Sequence, residues 1–292
     1  MVRFVMYCVN SSSARYHIDQ RGIARAAGEK DVVAAGRRNF ISKTQEFAFM
    51  VQGTDFDYDS LPVGYYDAVY HRGSGVQSKW QHLKFQRFAD RMTSLVRHLD
   101  IGCGPGTFIG TLPDNRHDSL GVDIASSQIA YANATYGGPG KAFLSIPAGR
   151  LLLDDNSFDV VTAIELIEHL THCRALALLR EALRILRPGG QLLVSTPNYA
   201  SSWPLVEKLV SRFGGIDYSK QHIAHYRRRR LHDLLAEANV VDIRVEGYML
   251  AAPFAAAVSW RLADFVERLE PAILADRFGL LLFASGTKHD GA

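Results

Sequence analysis

Residues 98–110, HLDIGCGPGTFIG, place Gly102, Gly104 and Gly106 at alternate positions just after an acid, Asp100. Glycine permits positive φ and lets ligand atoms touch the backbone, and the first N–H groups of a following helix lack partners within it. A dinucleotide loop has the spacing G-x-G-x-x-G and sets a pyrophosphate on the helix end. Here the spacing is D-x-G-x-G-x-G. An acid two residues before the first glycine would repel a pyrophosphate and suits a cationic group instead. Asp123 ends the next apolar run, SLGVD, where an acid can accept both hydroxyls of a ribose. The two features together ask for an adenosine whose attached group is not phosphate.

Such a loop needs a strand before it and a helix after it. Short apolar runs at 95–101, 119–123, 142–146, 158–164 and 191–196 read as strands, and helical patterns fall near 106–112, 126–135 and 172–187. The last pattern runs into RPGG (187–190), which reads as a helix stop and turn. Strand–helix alternation implies a doubly wound, Rossmann-like α/β fold with a mostly parallel sheet and helices on both faces. Right-handed crossovers then line up the strand C-termini, and the loops after them, along one edge. A helix near 204–213, a loop at 214–226, an Arg-led helix and strands near 241–249 and 279–286 follow, which brings the sheet to seven strands. The mostly helical stretch at about 250–278 is an insertion before the last strand, a kind of segment that covers sites or mediates contacts. Residues 1–89 read as an N-terminal helical or lid segment, and 90–292 as the main domain.

Composition narrows the class. The chain has 292 residues, 47% hydrophobic and 22% charged, enough to bury a sizeable core. No run reaches the ~20 apolar residues of a membrane helix, and the first residues make a poor secretory signal, so the expected compartment is the cytoplasm. Cys8, Cys103 and Cys173 are odd in number and far apart, which argues against a disulfide framework. A net charge of +3 is too small to point to nucleic acid. The one charge run, Arg227–Arg230, opens a segment with Leu231, Leu234, Leu235 and Ala238 at helical spacing, so it reads as the solvated first turn of an amphipathic helix.

Four segments, LDIGCGPGTFIG, GVDIASSQIAYA, DDNSFDVVTAIELIEHL and LRPGGQLLVSTPN, occur in order, and over residues 90–250 the sequence resembles class I S-adenosylmethionine-dependent methyltransferases. Glu168-His169-Leu170 gives it the flavour of the bacterial small-molecule group related to ubiquinone-type O-methyltransferases. The resemblance implies S-adenosylmethionine as cofactor, with S-adenosylhomocysteine as product. It implies that Gly102, Gly104 and Gly106 cradle the methionine part, with Asp100 close by. Asp123 would hold the ribose hydroxyls, Ile124 would pack on the adenine, and Glu165 would face the amino-acid end or the substrate. Many relatives carry an acid that meets the adenine amino group; the matching position here is Pro147, which leaves backbone and residues such as Ala148 or Gly149 to hold the base. Asp155-Asn156-Ser157 reads as a surface turn.

The implied reaction is methyl transfer to a small-molecule acceptor, with a hydroxyl oxygen first and carbon or nitrogen as the alternative. RNA is a third reading, opposed by the lack of a basic stripe with interleaved aromatics. For a hydroxyl acceptor a general base helps. His169 after the fourth strand, and His222 and His225 in QHIAHY, are the candidates, with solvated-loop or scaffold roles as the plain alternatives; His71 and His82 are weaker. No metal is expected, because no His, Asp and Glu group has ligand spacing in the sequence. Tyr65, Tyr66 and Tyr70 could form a lid, whereas Trp80 reads as packing on the sheet. The Ala-, Leu- and Phe-rich insertion suits a cap, a homodimer surface or a channel for an apolar or aromatic acceptor, and its lack of a basic amphipathic face argues against strong membrane binding.

Overall fold

The computed structural model describes residues 16–18, 24–26, 62–92, 96–114, 117–146, 151–213 and 221–289. A two-stranded antiparallel ladder, β1 (Tyr16–Ile18) and β2 (Ala24–Ala26), precedes the main body. The central sheet has seven strands: β3 (Val96–Ile101), β4 (His117–Asp123), β5 (Lys141–Ser145), β6 (Phe158–Ile164), β7 (Leu186–Pro197), β8 (Val241–Tyr248) and β9 (Leu281–Thr287). Their spatial order is β5-β4-β3-β6-β7-β9-β8. β3 to β7 are parallel, and β9 runs antiparallel between β7 and β8. The expected mostly parallel seven-stranded sheet is therefore present, and the strand order reverses beside β3, where the glycine loop begins.

Alternation along the central strands divides the core. On β7, Leu192 and Val194 face α5 (His172–Ile185) and α7 (Arg228–Glu237), while Leu193 faces the opposite layer. That second layer contains α2 (Gly75–Ala89), whose Leu83 and Phe88 pack with Phe283 of β9. The helix just before the first sheet strand is thus part of the core, and α1 (Tyr65–His71) runs into it. α3 (Thr107–Thr111) and α4 (Ser126–Tyr136) follow β3 and β4 and enclose a smaller cluster around Ile109, Ile129 and Phe143.

RPGG departs from its sequence reading. α5 stops at Ile185 and β7 starts at Leu186, so the four residues lie inside the strand, not in a turn before it. The register slips here between Phe158 and Val160 of β6, and Gly189, at φ 71°, donates its N–H to the Lys288 carbonyl. A bulge absorbs the residues that read as a turn. Asn156, at φ 54°, makes the expected turn before β6.

The insertion folds as α8 (Ala252–Ala255), α9 (Trp260–Leu269) and α10 (Ala272–Phe278). It is fastened to α2 by buried Lys79, whose Nζ donates to Asp264 at 2.7 Å and Glu267 at 3.0 Å. α6 (Trp203–Phe213) follows β7. Among the described residues no helix is long and apolar enough to cross a membrane. The Arg run does form the exposed first turn of a helix: Arg228 pairs with Asp276, Arg229 with Asp233, and Arg230 donates to the His225 carbonyl.

Candidate functional site

The C-terminal ends of β3, β4 and β6 open on a cavity of about 290 Å³. One side is the glycine loop. Gly102, Gly104 and Gly106 have φ of 77°, 51° and 76°, a left-handed conformation that disfavours other residues at all three positions. Their surroundings differ. A Cβ on Gly104 would project into open space, whereas one on Gly106 would lie 2.6 Å from Phe143 and 2.8 Å from Ala132. Gly102 and Gly104 line the cavity; Gly106 instead allows α3 to press against α4 and β5.

Asp123 binds this loop to β4. Its two carboxylate oxygens accept the N–H groups of Gly104 and Ala125, each at 2.8 Å. Burial raises its pKa, and the backbone donors offset part of that. Asp100 is 2% exposed and accepts the Thr162 hydroxyl at 2.6 Å. The same Thr162 hydroxyl lies 2.8 Å from His98 Nε2. Burial pushes the Asp100 carboxyl up to about 7, with the Thr162 hydrogen bond opposing it. Ile124 lies exposed just past the end of β4, outside the cavity lining. Ala148, with Pro147 and Gly149, lies outside the described residues.

The opposite side comes from the end of β6 and the turn after it. Glu165 directly follows β6 at φ 48°, a conformation costing about 1–2 kcal/mol for a non-glycine residue. Its N–H is satisfied by the Ser195 carbonyl at 3.1 Å, and its carboxylate takes Lys84 Nζ and, at 3.4 Å, Trp80 Nε1. Beyond it the short 3-10 turn Ile167–His169 delivers Glu168 and His169. His222 arrives from the segment before α7. His169 and His222 both line the cavity with ring centroids 5.2 Å apart. His225 does not line it; its ring stacks on Tyr199 at 4.0 Å.

Electrostatics separates the two histidines. Burial, aided by the charge of His222, lowers His169 to about 4, so its ring is neutral near pH 7. Burial would also lower His222, but the hydrogen bond to Glu207 and the charges of Glu168 and Glu207 outweigh it and raise the pKa. Glu168 is 1% exposed, and burial lifts its carboxyl to about 8.

Several lining residues carry no clear signal in the sequence. Lys84 is buried on α2, and Trp80 of the same helix faces the cavity and packs on Trp203 at 5.3 Å, beyond the sheet-packing role read from the sequence. Glu207 and Gln221 complete the His222 side. Tyr65 and Tyr66 of α1 also line the cavity, as does Phe254 of the insertion. α1 is held there by Asp67, which accepts hydroxyls from Thr107 (2.8 Å), Tyr131 (2.8 Å) and Tyr136 (2.5 Å).

A glycine loop at a topological switch point, with an acid in the C-terminal part of each of two adjacent parallel strands, Asp100 in β3 and Asp123 at the end of β4, defines a nucleoside-type site on a doubly wound sheet. Residues 73–245 match the family described as Methyltransferase domain, and the chain belongs to that family. A probable S-adenosylmethionine-dependent methyltransferase of Mycobacterium tuberculosis is 29% identical over 163 residues, 56% of this chain and 55% of the relative. A ubiquinone biosynthesis O-methyltransferase of Bradyrhizobium sp. is 34% identical over 121 residues, 39% of this chain and 46% of that one. The chain spans about half the length of the curated relatives it matches. Among solved structures, a SAM-dependent methyltransferase from Archaeoglobus fulgidus shares the fold with a TM-score of 0.53 at 19% identity, covering 80% of this chain and all of that one.

Proposed function

We propose that the chain transfers a methyl group from S-adenosylmethionine to a hydroxyl oxygen of a small, largely apolar or aromatic acceptor. The observation that supports this is the cavity itself, which joins the glycine loop and Asp123 on one side to Glu165, Glu168, His169 and His222 on the other. The first side fits the cofactor by its chemistry. Gly104 leaves open space where a side chain would stand, and Asp100 and Asp123, with Glu165 across the cavity, offer acids to a ligand that carries an ammonium and a sulfonium.

S-adenosylmethionine, when bound, supplies a methyl carbon on a positively charged sulfur, an electrophile that needs no further activation. The chain's own work is alignment and exclusion of water. Gly102, Gly104 and Asp100 take the amino-acid end, and Asp123, already oriented by two backbone donors, takes the ribose. Trp80, Trp203 and Phe254 present apolar surface to the acceptor, and α1 closes the side nearest the glycine loop. Orientation of this kind supplies up to about 7–11 kcal/mol of a bimolecular barrier. His169, neutral near pH 7, stands on the acceptor side as the group able to take a proton.

Oxygen is favoured over carbon or nitrogen because titratable groups crowd the acceptor side and because three of the relatives bear an O-methyltransferase name. The test is calorimetric titration with S-adenosylmethionine and S-adenosylhomocysteine, followed by mass-shift screening of hydroxylated aromatic and isoprenoid-type compounds. Micromolar binding and a gain of one methyl on oxygen support the proposal. Absence of binding by either ligand defeats it. Full turnover after loss of both His169 and His222 would move the acceptor to carbon or nitrogen.

A further inference from the structure

His98 opens the stretch that leads into the glycine loop, and it lies in the sheet core where an apolar side chain would be the simplest occupant. It is fully buried, and the ring of Phe108 packs edge-on against it at 5.7 Å. A buried imidazole is costly unless both ring nitrogens find partners. Both do. Nδ1 lies 3.2 Å from the Ser119 hydroxyl, and Nε2 lies 2.8 Å from the Thr162 hydroxyl. The Thr162 hydroxyl is in turn 2.6 Å from Oδ1 of Asp100, which lines the cavity. Strand register builds the chain. On β3, His98 sits opposite Ser119 of β4 and Asp100 opposite Thr162 of β6, and His98 and Asp100, two residues apart, share one face.

The donors follow from the charge on Asp100. An ionised carboxylate only accepts, so the Thr162 O–H points to it; the other acceptor in reach, the Leu99 carbonyl, is at 3.5 Å. The Thr162 oxygen then accepts from His98, which carries its proton on Nε2, and Nδ1 accepts the Ser119 O–H. All three bonds are directed toward Asp100, and bonds aligned in this way strengthen one another. A protonated Asp100 instead donates to the Thr162 oxygen. The Thr162 O–H then turns to Nε2 of His98, and the ring holds its proton on Nδ1 and donates to Ser119. The two arrangements differ by one proton, taken from solvent. Burial, with the charge of His117 adding to it, lowers the His98 pKa to about 3, so the ring is neutral in both.

We propose that Ser119, His98 and Thr162 form a buried relay that positions the Asp100 carboxylate, and that the His98 ring changes tautomer as Asp100 gains or loses its proton. His98 is then a positioning residue, acting through Thr162 on the acid that faces the ligand. The relay stands on the geometry of the three strands; its use in cofactor binding rests on the methyl-transfer reading. In that use a ligand ammonium favours ionised Asp100 and so the Nε2–H tautomer. Other charged groups act on the same carboxylate. Lys84 of α2 favours its ionised form, and Asp123 at the end of β4 opposes it. Glu165, across the cavity, is paired with Lys84. The Cys103 thiol of the glycine loop is pushed up by burial and stays neutral beside Asp100. Behind the ring, His117 at the start of β4 is the titratable neighbour. His98 meets Asp100 through Thr162, so a tautomer that follows Asp100 does so through that hydroxyl.

The test follows the His98 ring nitrogens of the ¹⁵N-labelled full chain by long-range proton–nitrogen NMR correlation as pH is raised. The ring should pass from Nδ1–H to Nε2–H with a midpoint near the Asp100 value of about 7. S-adenosylhomocysteine added on the acid side of that midpoint should convert Nδ1–H to Nε2–H at constant pH. Asp100→Asn should leave the tautomer independent of pH, which titration of His117 or Asp123 would not. Thr162→Val cuts the relay with little change of size. It should also fix the tautomer, and it should move the midpoint of the S-adenosylhomocysteine affinity profile up by about 1–2 pH units, because Asp100 loses a hydrogen bond to its charged form. Near-ultraviolet circular dichroism confirms the fold of each variant, and the measurement on the unaltered chain needs no substitution. A tautomer constant across the pH range, or a switch that persists in folded Asp100→Asn, overturns the relay. An affinity midpoint unmoved in folded Thr162→Val overturns its hold on Asp100. A tautomer switch in a protein that binds neither S-adenosylmethionine nor S-adenosylhomocysteine upholds the relay and defeats the methyl-transfer reading.

Discussion

The two sides of the cavity are built by opposite means. On the glycine side, residues 98–125 supply the loop, Asp100, Asp123 and the opening of a helix, and the pieces meet through adjacent parallel strands. On the acceptor side, Glu165, Glu168 and His169 come from the end of β6, His222 from the segment before α7, Glu207 from α6, and Lys84 and Trp80 from a helix that precedes the sheet. The first side depends on backbone conformation, which a few glycines and one acid fix locally. The second depends on long-range packing, so each contact is only as good as the elements behind it.

Substitutions can break this contrast. The largest effect is expected at Gly106, where alanine demands φ 76° and puts Cβ 2.6 Å from Phe143. Gly106→Ala should lower stability by about 2–4 kcal/mol, read from urea midpoints, and abolish cofactor binding. Asp123→Ala removes the acceptor of two loop N–H groups. It should weaken S-adenosylmethionine binding tenfold or more by calorimetry, with a smaller loss of stability than Gly106→Ala.

Asp100 sharpens the comparison through pH. Its carboxyl, raised to about 7, is protonated in the free protein below that pH. A cationic ligand favours the ionised form, so binding below about pH 7 releases a proton and affinity rises with pH until about 7, then levels off. Calorimetry in buffers of different ionisation enthalpy checks this, and Asp100→Asn should flatten the profile. An affinity independent of pH between 5.5 and 7.5 would remove Asp100 from the cofactor side.

On the other side, Lys84→Met leaves Glu165 without its ammonium partner and should cost about 1–3 kcal/mol, visible as a drop in melting temperature. Turnover should fall more than cofactor affinity. The smallest effect is expected at His225. Its ring stacks on Tyr199 outside the cavity, so His225→Ala should change kcat less than twofold while His169→Ala reduces it at least tenfold.

The same contrast decides what is legible in the sequence. Gly102, Gly104 and Asp123 announce themselves because φ requirements and strand ends are local, and the sheet follows from runs of apolar residues. His169 and His222 stand out as candidates, but not as neighbours: about 50 residues separate them. That gap also hides the grouping of Glu168 with the two histidines from a search along the sequence. Lys84 and Glu207 sit on helices whose patterns look like any core or surface helix, and only tertiary packing turns them toward the cavity. RPGG reads wrongly as a turn because a bulged strand and a turn share the same glycines, and the pairing with Lys288 that distinguishes them comes from the far end of the chain.

Asp67 carries a practical consequence for anyone shortening this protein. The family match starts at residue 73, just past the helix that bears this aspartate. A chain cut at that boundary would keep every strand of the central sheet and the whole glycine loop, yet strand the hydroxyls of Thr107, Tyr131 and Tyr136 that now point to one carboxylate. A shortened chain that keeps these three hydrogen bonds therefore begins upstream of the matched block and includes α1.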